Sequence, residues 1–222
     1  MEGTKTKIKG YQVDACFSAG NCQNAIFSGD ICHKIEERLK KEDLLGFLKN
    51  RVKGEIRSHH EFKITVSDCP NACSQPQIKD IGIIAAKTPQ VTDIECIRCM
   101  ECVRTCKENP IVLHEPDACP IIDDTLCAAC GQCIAACPAG TLAVAKAGYR
   151  ILLGGKLGRH PRLAEELPGI FSEAETLAIV ARCIAHYKAE SHNGERFADL
   201  MARDGTLFTG LAGYTGQRRS LP

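Results

Sequence analysis

Cysteine carries the chemistry of this sequence. Cys96, Cys99, Cys102 and Cys106 are spaced C-x2-C-x2-C-x3-C. Cys127, Cys130, Cys133 and Cys137 repeat that run, and Pro138 closes it. Three thiolates on one tight loop can cap three irons of a cubane, and the fourth reaches a neighbouring cluster, so the repeated run signals two [4Fe–4S] clusters. The first is expected to take Cys96, Cys99, Cys102 and Cys137. The second takes Cys127, Cys130, Cys133 and Cys106, each fourth cysteine starting a helix that points it across. Zinc sites favour two pairs on a long spacer over such a dense run. Lys107 departs from the pattern, standing where the first run would end in Pro.

A second group is more widely spaced. Cys16 and Cys22 form C-x5-C, and Cys69-Pro70-Asn71-Ala72-Cys73 forms C-x3-C, followed by Gln75-Pro76 and Ile81-Gly82. Spacing alone leaves these as one set of four or as two unrelated pairs. Cys32 and Cys183 fall on predicted helices and read as small buried apolar residues. Cys119 has no assigned role.

The rest of the chain must position these thiols. It has 222 residues, 15 of them Cys, with 44% hydrophobic residues, enough for a packed core. Formal charge is +1, which favours neither a nucleic-acid partner nor an acidic tail. No apolar run is long enough for a membrane span, and the first residues lack an apolar signal core. A cytoplasmic location is expected, where thiols stay reduced and dense cysteine means metal or redox chemistry.

Residues 89–147 hold eight acids and four bases, a net −4 inside a basic remainder. The expected division is therefore 1–88 with 148–222 as one discontinuous domain, interrupted by a two-cluster ferredoxin-like domain at 89–147. The fold class is α+β. A helix is expected over 30–49, with Ile31, Ile35, Leu39, Leu45 and Leu48 near helical spacing. Strands are expected at 61–66, 81–86 and 149–153. Ser172 with Glu175 has the form of a capping box opening a helix to about Ala189. A further helix is expected at about 195–203, and the tail from Thr209 lacks any period.

The combination of C-x5-C, C-P-N-x-C, a strand with Ile81-Gly82 and the Gly154-Gly155 loop with Lys156, Arg159 and Arg162 resembles the sirohaem-dependent sulfite and nitrite reductases. The inserted ferredoxin run is similar in place to that of dissimilatory and anaerobic sulfite reductase subunits. The resemblance implies that Cys16, Cys22, Cys69 and Cys73 hold a third [4Fe–4S] cluster. It makes Cys73 the thiolate that bridges to the sirohaem iron. It implies six-electron reduction of sulfite, or of nitrite.

Sirohaem carries many carboxylates, so its pocket needs Arg and Lys. Lys156 and Arg159 are the leading candidates, with Asn71 placed either to touch the macrocycle or to cap a turn. Lys63 is the one lysine on the strand before Cys69 and is the candidate catalytic cation. His59, His60 and His160 are weaker proton-donor candidates. Members of the family have a preceding ferredoxin-like half, whereas only 15 residues stand before Cys16 here. A redox partner or second subunit is expected to complete the active site. The alternative is an electron-transfer subunit of a larger complex, without catalytic sirohaem.

Overall fold

The computed structural model describes residues 8–16, 22, 24–26, 30–113 and 119–204. The expected loose tail from Thr209 lies outside them. A five-stranded sheet organises the chain. In spatial order its strands are β1 (Tyr11–Ala15), β2 (Phe62–Ser67), β3 (Ile81–Val91), β6 (Leu142–Leu153) and β7 (Glu165–Glu166). The first three run parallel, and β3 pairs with β6 antiparallel from Ile81↔Leu153 to Val91↔Leu142.

Alternation decides which way each strand faces. Phe62, Ile64 and Val66 on β2, Ile81, Ile83 and Ala85 on β3, and Tyr149, Ile151 and Leu153 on β6 enter one core. Helices α1 (Ile31–Leu39), α5 (Glu173–Glu190) and α6 (Phe197–Arg203) supply its other half through Ile35, Val180, Cys183, Ile184 and Phe197. Each such side chain contributes about 1.5–3 kcal/mol when fully buried. Phe62 anchors an aromatic group, with ring centroids 5.3 Å from Tyr187 and 5.2 Å from Phe197.

The helix expected over 30–49 is two helices. Chain direction changes at Asp43, which takes the left-handed conformation and caps α2 (Leu44–Arg51) by accepting from Gly46 N–H at 3.1 Å. By contrast, Ser172 and Glu175 form the full capping box at the start of α5. Strands β3 and β6 run well past the expected 81–86 and 149–153, because pairing continues beyond the apolar stretch through a register shift at Thr88/Pro89.

The opposite face of β2 carries polar groups that pin the Cys69–Cys73 loop. Ser67 and Ser74 share a 2.6 Å hydrogen bond, and Ser74 Oγ donates to the Val66 carbonyl at 3.0 Å. Glycine is required where this layer meets the sheet. A Cβ on Gly82 would sit 2.3 Å from the Pro76 carbonyl oxygen, and one on Gly155 2.5 Å from that of Gln77.

Between β3 and β6 lies a small second unit with its own core of Cys102, Ile111, Cys133 and Leu142. It contains α3 (Glu101–Thr105), β4 (Ile111–Leu113), β5 (Pro120–Ile122) and α4 (Gln132–Ala136), with β4 and β5 paired antiparallel. Both helices precede a fourth cysteine. Cys106 and Cys137 end them in extended conformation, whereas the spacing leads one to expect each of these cysteines to start a helix. The turn into each helix comes instead from a left-handed residue, Met100 or Gly131.

Candidate metal centre

The second unit arranges its eight cysteines around two cavities. One, of about 380 Å³, is lined by Cys127, Cys130 and Cys133 together with Cys106. The smaller one is lined by Cys96, Cys99 and Cys102 together with Cys137. In each case the fourth cysteine of one run faces the first three of the other. Helices α3 and α4 pack side by side and carry those fourth residues across.

Electrostatics reports the same grouping. Burial, then the neighbouring Cys130, Cys127 and Cys106, pushes the Cys133 thiol up to about 12. Burial also raises Cys102, with Cys137 and Cys96 adding to it. Thiols packed so closely cannot all ionise without a compensating cation, and metal binding supplies one. Cys137 goes the other way. Burial opposes its ionisation, but backbone N–H groups of Leu142, Gly140, Ala139 and Thr141 outweigh it and hold the thiol below its usual range. Among the described residues, no three His, Cys, Asp or Glu side chains converge on a point suited to a single ion. A cubane needs its four thiolates at four separate irons.

Of the other four cysteines, three lie close enough to influence the fourth, Cys69. Cys69 is raised by burial first, and Cys22, Cys16 and Cys73 act on it together, while the Asn71 backbone N–H bonds its sulfur and opposes the rise. Cys16 accepts from the Asp68 N–H at 3.3 Å, at the end of β1 where the parallel pairing with β2 brings it beside Cys69. The Asn71 carboxamide donates to Cys73 Sγ at 2.9 Å. Cys73 itself is exposed. Cys69, Pro70 and Asn71 also line the 380 Å³ cavity, so this loop forms a wall of the space that Cys106, Cys127, Cys130 and Cys133 surround.

The proposed cations are placed differently from one another. Lys156 reaches Asp199 on α6, an ion pair that leaves it mostly buried. Arg159 is exposed, between the backbone-paired Lys156 and Arg162 that close its loop. That loop packs on the stretch after Cys73, with Gly155 N–H donating to the Lys79 carbonyl and Ala164 N–H to that of Gln77. Lys63 belongs to another charged group. Burial pushes its ammonium below the usual lysine range, with Arg196 and Lys79 adding to the effect and Asp80 and Glu61 opposing it. His59 is exposed and its ring centroid lies 4.0 Å from that of His60 with the ring planes tilted by 52°, and His160 is exposed. Cys183 is wholly buried in the main core, whereas Cys32 is half-buried and Cys119 exposed.

Two features had no local signal in the sequence. Gln132 Nε2 donates to Asn24 Oδ1, joining the second unit to the segment after Cys22. Asp80, buried beside Lys63, accepts both from the Lys63 N–H and from Arg196, which lies 116 residues on.

Residues 11–206 match the family described as Nitrite and sulphite reductase 4Fe-4S domain. The coenzyme F420-dependent sulfite reductase of Methanocaldococcus jannaschii is 31% identical over 194 residues, covering 86% of this chain and 28% of that protein. A subunit of the anaerobic sulfite reductase of Salmonella typhimurium is 28% identical over 81 residues, 36% of this chain and 23% of its own length. Among solved structures, dissimilatory sulfite reductase I superposes with a TM-score of 0.61 at 16% identity, over 95% of this chain and 55% of that one. The NirA protein of Mycobacterium tuberculosis gives a TM-score of 0.50 at 17% identity, over 91% and 27%. The chain thus spans about a quarter of the length of the curated relatives it matches.

Proposed function

Because the chain belongs to the nitrite and sulphite reductase 4Fe-4S family, we propose that it is the iron–sulfur redox subunit of such a reductase. Twelve cysteines hold three [4Fe–4S] clusters in the sets Cys96/Cys99/Cys102/Cys137, Cys127/Cys130/Cys133/Cys106 and Cys16/Cys22/Cys69/Cys73. Cys73 also presents its sulfur to a sirohaem iron. Held there, the clusters would supply single-electron transfer and the sirohaem the six-electron reduction of sulfite, or of nitrite.

One observation carries this reading. The 380 Å³ cavity sets the Cys69–Asn71 loop against Cys106, Cys127, Cys130 and Cys133. Residues 89–147 then act as a ferredoxin-like insert docked on a reductase-type domain. Cys73 is exposed, as a thiolate shared with an external iron must be. Arg159 and Lys156 are assigned to the sirohaem carboxylates, Lys156 after exchanging its partner Asp199. Lys63 is kept as the candidate cation for substrate or proton delivery.

Three further cations near the loop already have acidic partners: Lys79 with Asp14, Arg162 with Glu165, and Arg196 with Asp80. That supports a partner chain that supplies the remaining positive groups. One relative is itself named as a subunit of an anaerobic sulfite reductase, which points the same way. Reduced cysteine on this scale suits the cytoplasm, and no described helix is long and apolar enough to cross a membrane.

The test is purification without oxygen, with iron counted and pigment extracted in acid acetone. About twelve cluster irons, one further iron and a sirohaem spectrum are expected. About twelve irons with no tetrapyrrole, after expression with ample sirohaem, would overturn the catalytic reading. The protein would then be an electron-transfer subunit of a larger redox complex. About eight irons would overturn the third cluster.

A further inference from the structure

We propose that Asn71 is a positioning residue that acts through Cys73 and sets the reduction potential of the group held by Cys16, Cys22, Cys69 and Cys73. This rests on reading those four thiols as cluster ligands.

The observation is a side chain that aims its donor at a cysteine sulfur. The Asn71 carboxamide donates to Cys73 Sγ at 2.9 Å. The loop is built to hold that donor in place. Ala72 adopts the left-handed conformation at φ 55° and donates its N–H to the Cys69 carbonyl at 3.2 Å. Gln75 N–H then donates to the Ala72 carbonyl at 2.9 Å, and buried Ser74 ties the end of the loop to Val66 and Ser67. Asn71 itself is exposed, so its side chain is not packed to fill the core.

An N–H aimed at a thiolate stabilises the more negative of two states. The group these thiols hold becomes more negative by one charge when it takes one electron, with no proton required. A hydrogen bond to Cys73 Sγ therefore favours the reduced form, and hydrogen bonds to cluster sulfurs are a known lever on potential. A thiolate sulfur has three lone pairs. One serves the cluster iron and one accepts from Asn71, which leaves one for an external iron. Asn71 also lines the cavity shared with Cys106, Cys127, Cys130 and Cys133, so its dipole lies between the two thiol groups.

Substitution at 71 removes the carboxamide and leaves the backbone of the loop in place. Asn71→Leu has similar bulk and no donor. Asn71→Asp has the same shape, no donor when ionised, and a negative charge.

The experiment is a redox titration of the full chain, purified without oxygen and followed by electron paramagnetic resonance, for the wild type and both variants. In Asn71→Leu one of the three cluster reduction steps is expected to become about tenfold less favourable, which is about 59 mV for one electron. The other two steps stay in place and iron content is unchanged. Asn71→Asp moves the same step further down. If iron is retained and no step moves in either variant, the inference is overturned. If Asn71→Leu loses iron, Asn71→Asp decides. Loss of the third cluster in both variants overturns the inference too, since Asn71 then only holds the loop together. A wild type without a third cluster overturns the functional reading itself, before any substitution is made.

Discussion

Gln132 Nε2 lies 2.8 Å from Asn24 Oδ1, joining residues 108 positions apart. Gln132 immediately precedes Cys133, and Asn24 lies two residues after Cys22. One side-chain bond thus spans the two units at the point where their cysteines approach. Gln132→Ala is expected to keep all iron and to weaken or broaden the magnetic interaction between the two nearest reduced centres. Such an exposed bond contributes only about 1 kcal/mol, so thermal stability should scarcely change.

The crossed cysteine sets make a prediction about pairs of substitutions. Cys106→Ser and Cys127→Ser each remove one cluster, and the double variant loses no more iron than either alone. Cys102→Ser with Cys106→Ser loses two clusters, about eight irons. Iron analysis of the four variants settles the pairing. The reverse pattern would place Cys106 with Cys96, Cys99 and Cys102.

Asp80 is buried and depends on Arg196 for its charge partner. Burial raises its carboxyl above the usual range, against the opposing pull of Arg196 and of the Lys63 N–H. Arg196→Met leaves that carboxylate unpaired and is expected to cost about 3 kcal/mol at neutral pH. A carboxyl whose folded pKa lies above its unfolded value favours the folded state at low pH. That stability is lost as pH rises through the folded pKa. The variant's deficit therefore grows as pH rises and shrinks as pH falls, read at one mildly alkaline and one mildly acidic value. Thermal midpoints at the two values check it. Adding Asp80→Asn should remove most of the pH dependence.

Gly82→Ala puts a methyl group against the Pro76 carbonyl at 2.3 Å. The clash is with backbone, so the stretch 76–79 must shift. A cost of about 1–3 kcal/mol is expected, lowering the thermal midpoint by about 2–4 °C for each kcal/mol. Because that stretch follows Cys73 directly, the spectrum of the Cys73 centre should change more than those of the insert. A variant with unchanged spectra and stability would separate Gly82 from the site.

Much of this architecture is legible in the sequence because cysteine spacing and strand alternation are local. The repeated C-x2-C-x2-C-x3-C run, the apolar alternation of β2 and the Ser172–Glu175 box each lie within one short window. What escaped is non-local or conformational. The Asp43 break depends on one left-handed residue inside an otherwise helical pattern. The length of β3 comes from its partner β6, since Lys87, Thr88 and Pro89 interrupt the apolar stretch and still pair. The charges around Lys63, from Asp80, Glu61, Lys79 and Arg196, come together only through the fold. Glu61, its neighbour, turns out to be structural: it accepts from the Lys9 and Gly10 N–H groups and from Gln12, fixing the start of β1. Asn71 has two roles open in the sequence, and the structure adds a hydrogen bond to the Cys73 sulfur.

The β3–β6 ladder has a consequence for ancestry. It runs to Val91↔Leu142, and just beyond it Thr92 N–H donates to the Thr141 carbonyl at 2.8 Å. The second unit therefore leaves and rejoins the sheet at neighbouring points, like an enlarged hairpin turn. A single splice at that junction can add or delete the whole unit while the host strands keep their register. Shorter descendants closed by a tight turn, and longer ones carrying a different module in the same slot, are equally compatible with the sheet.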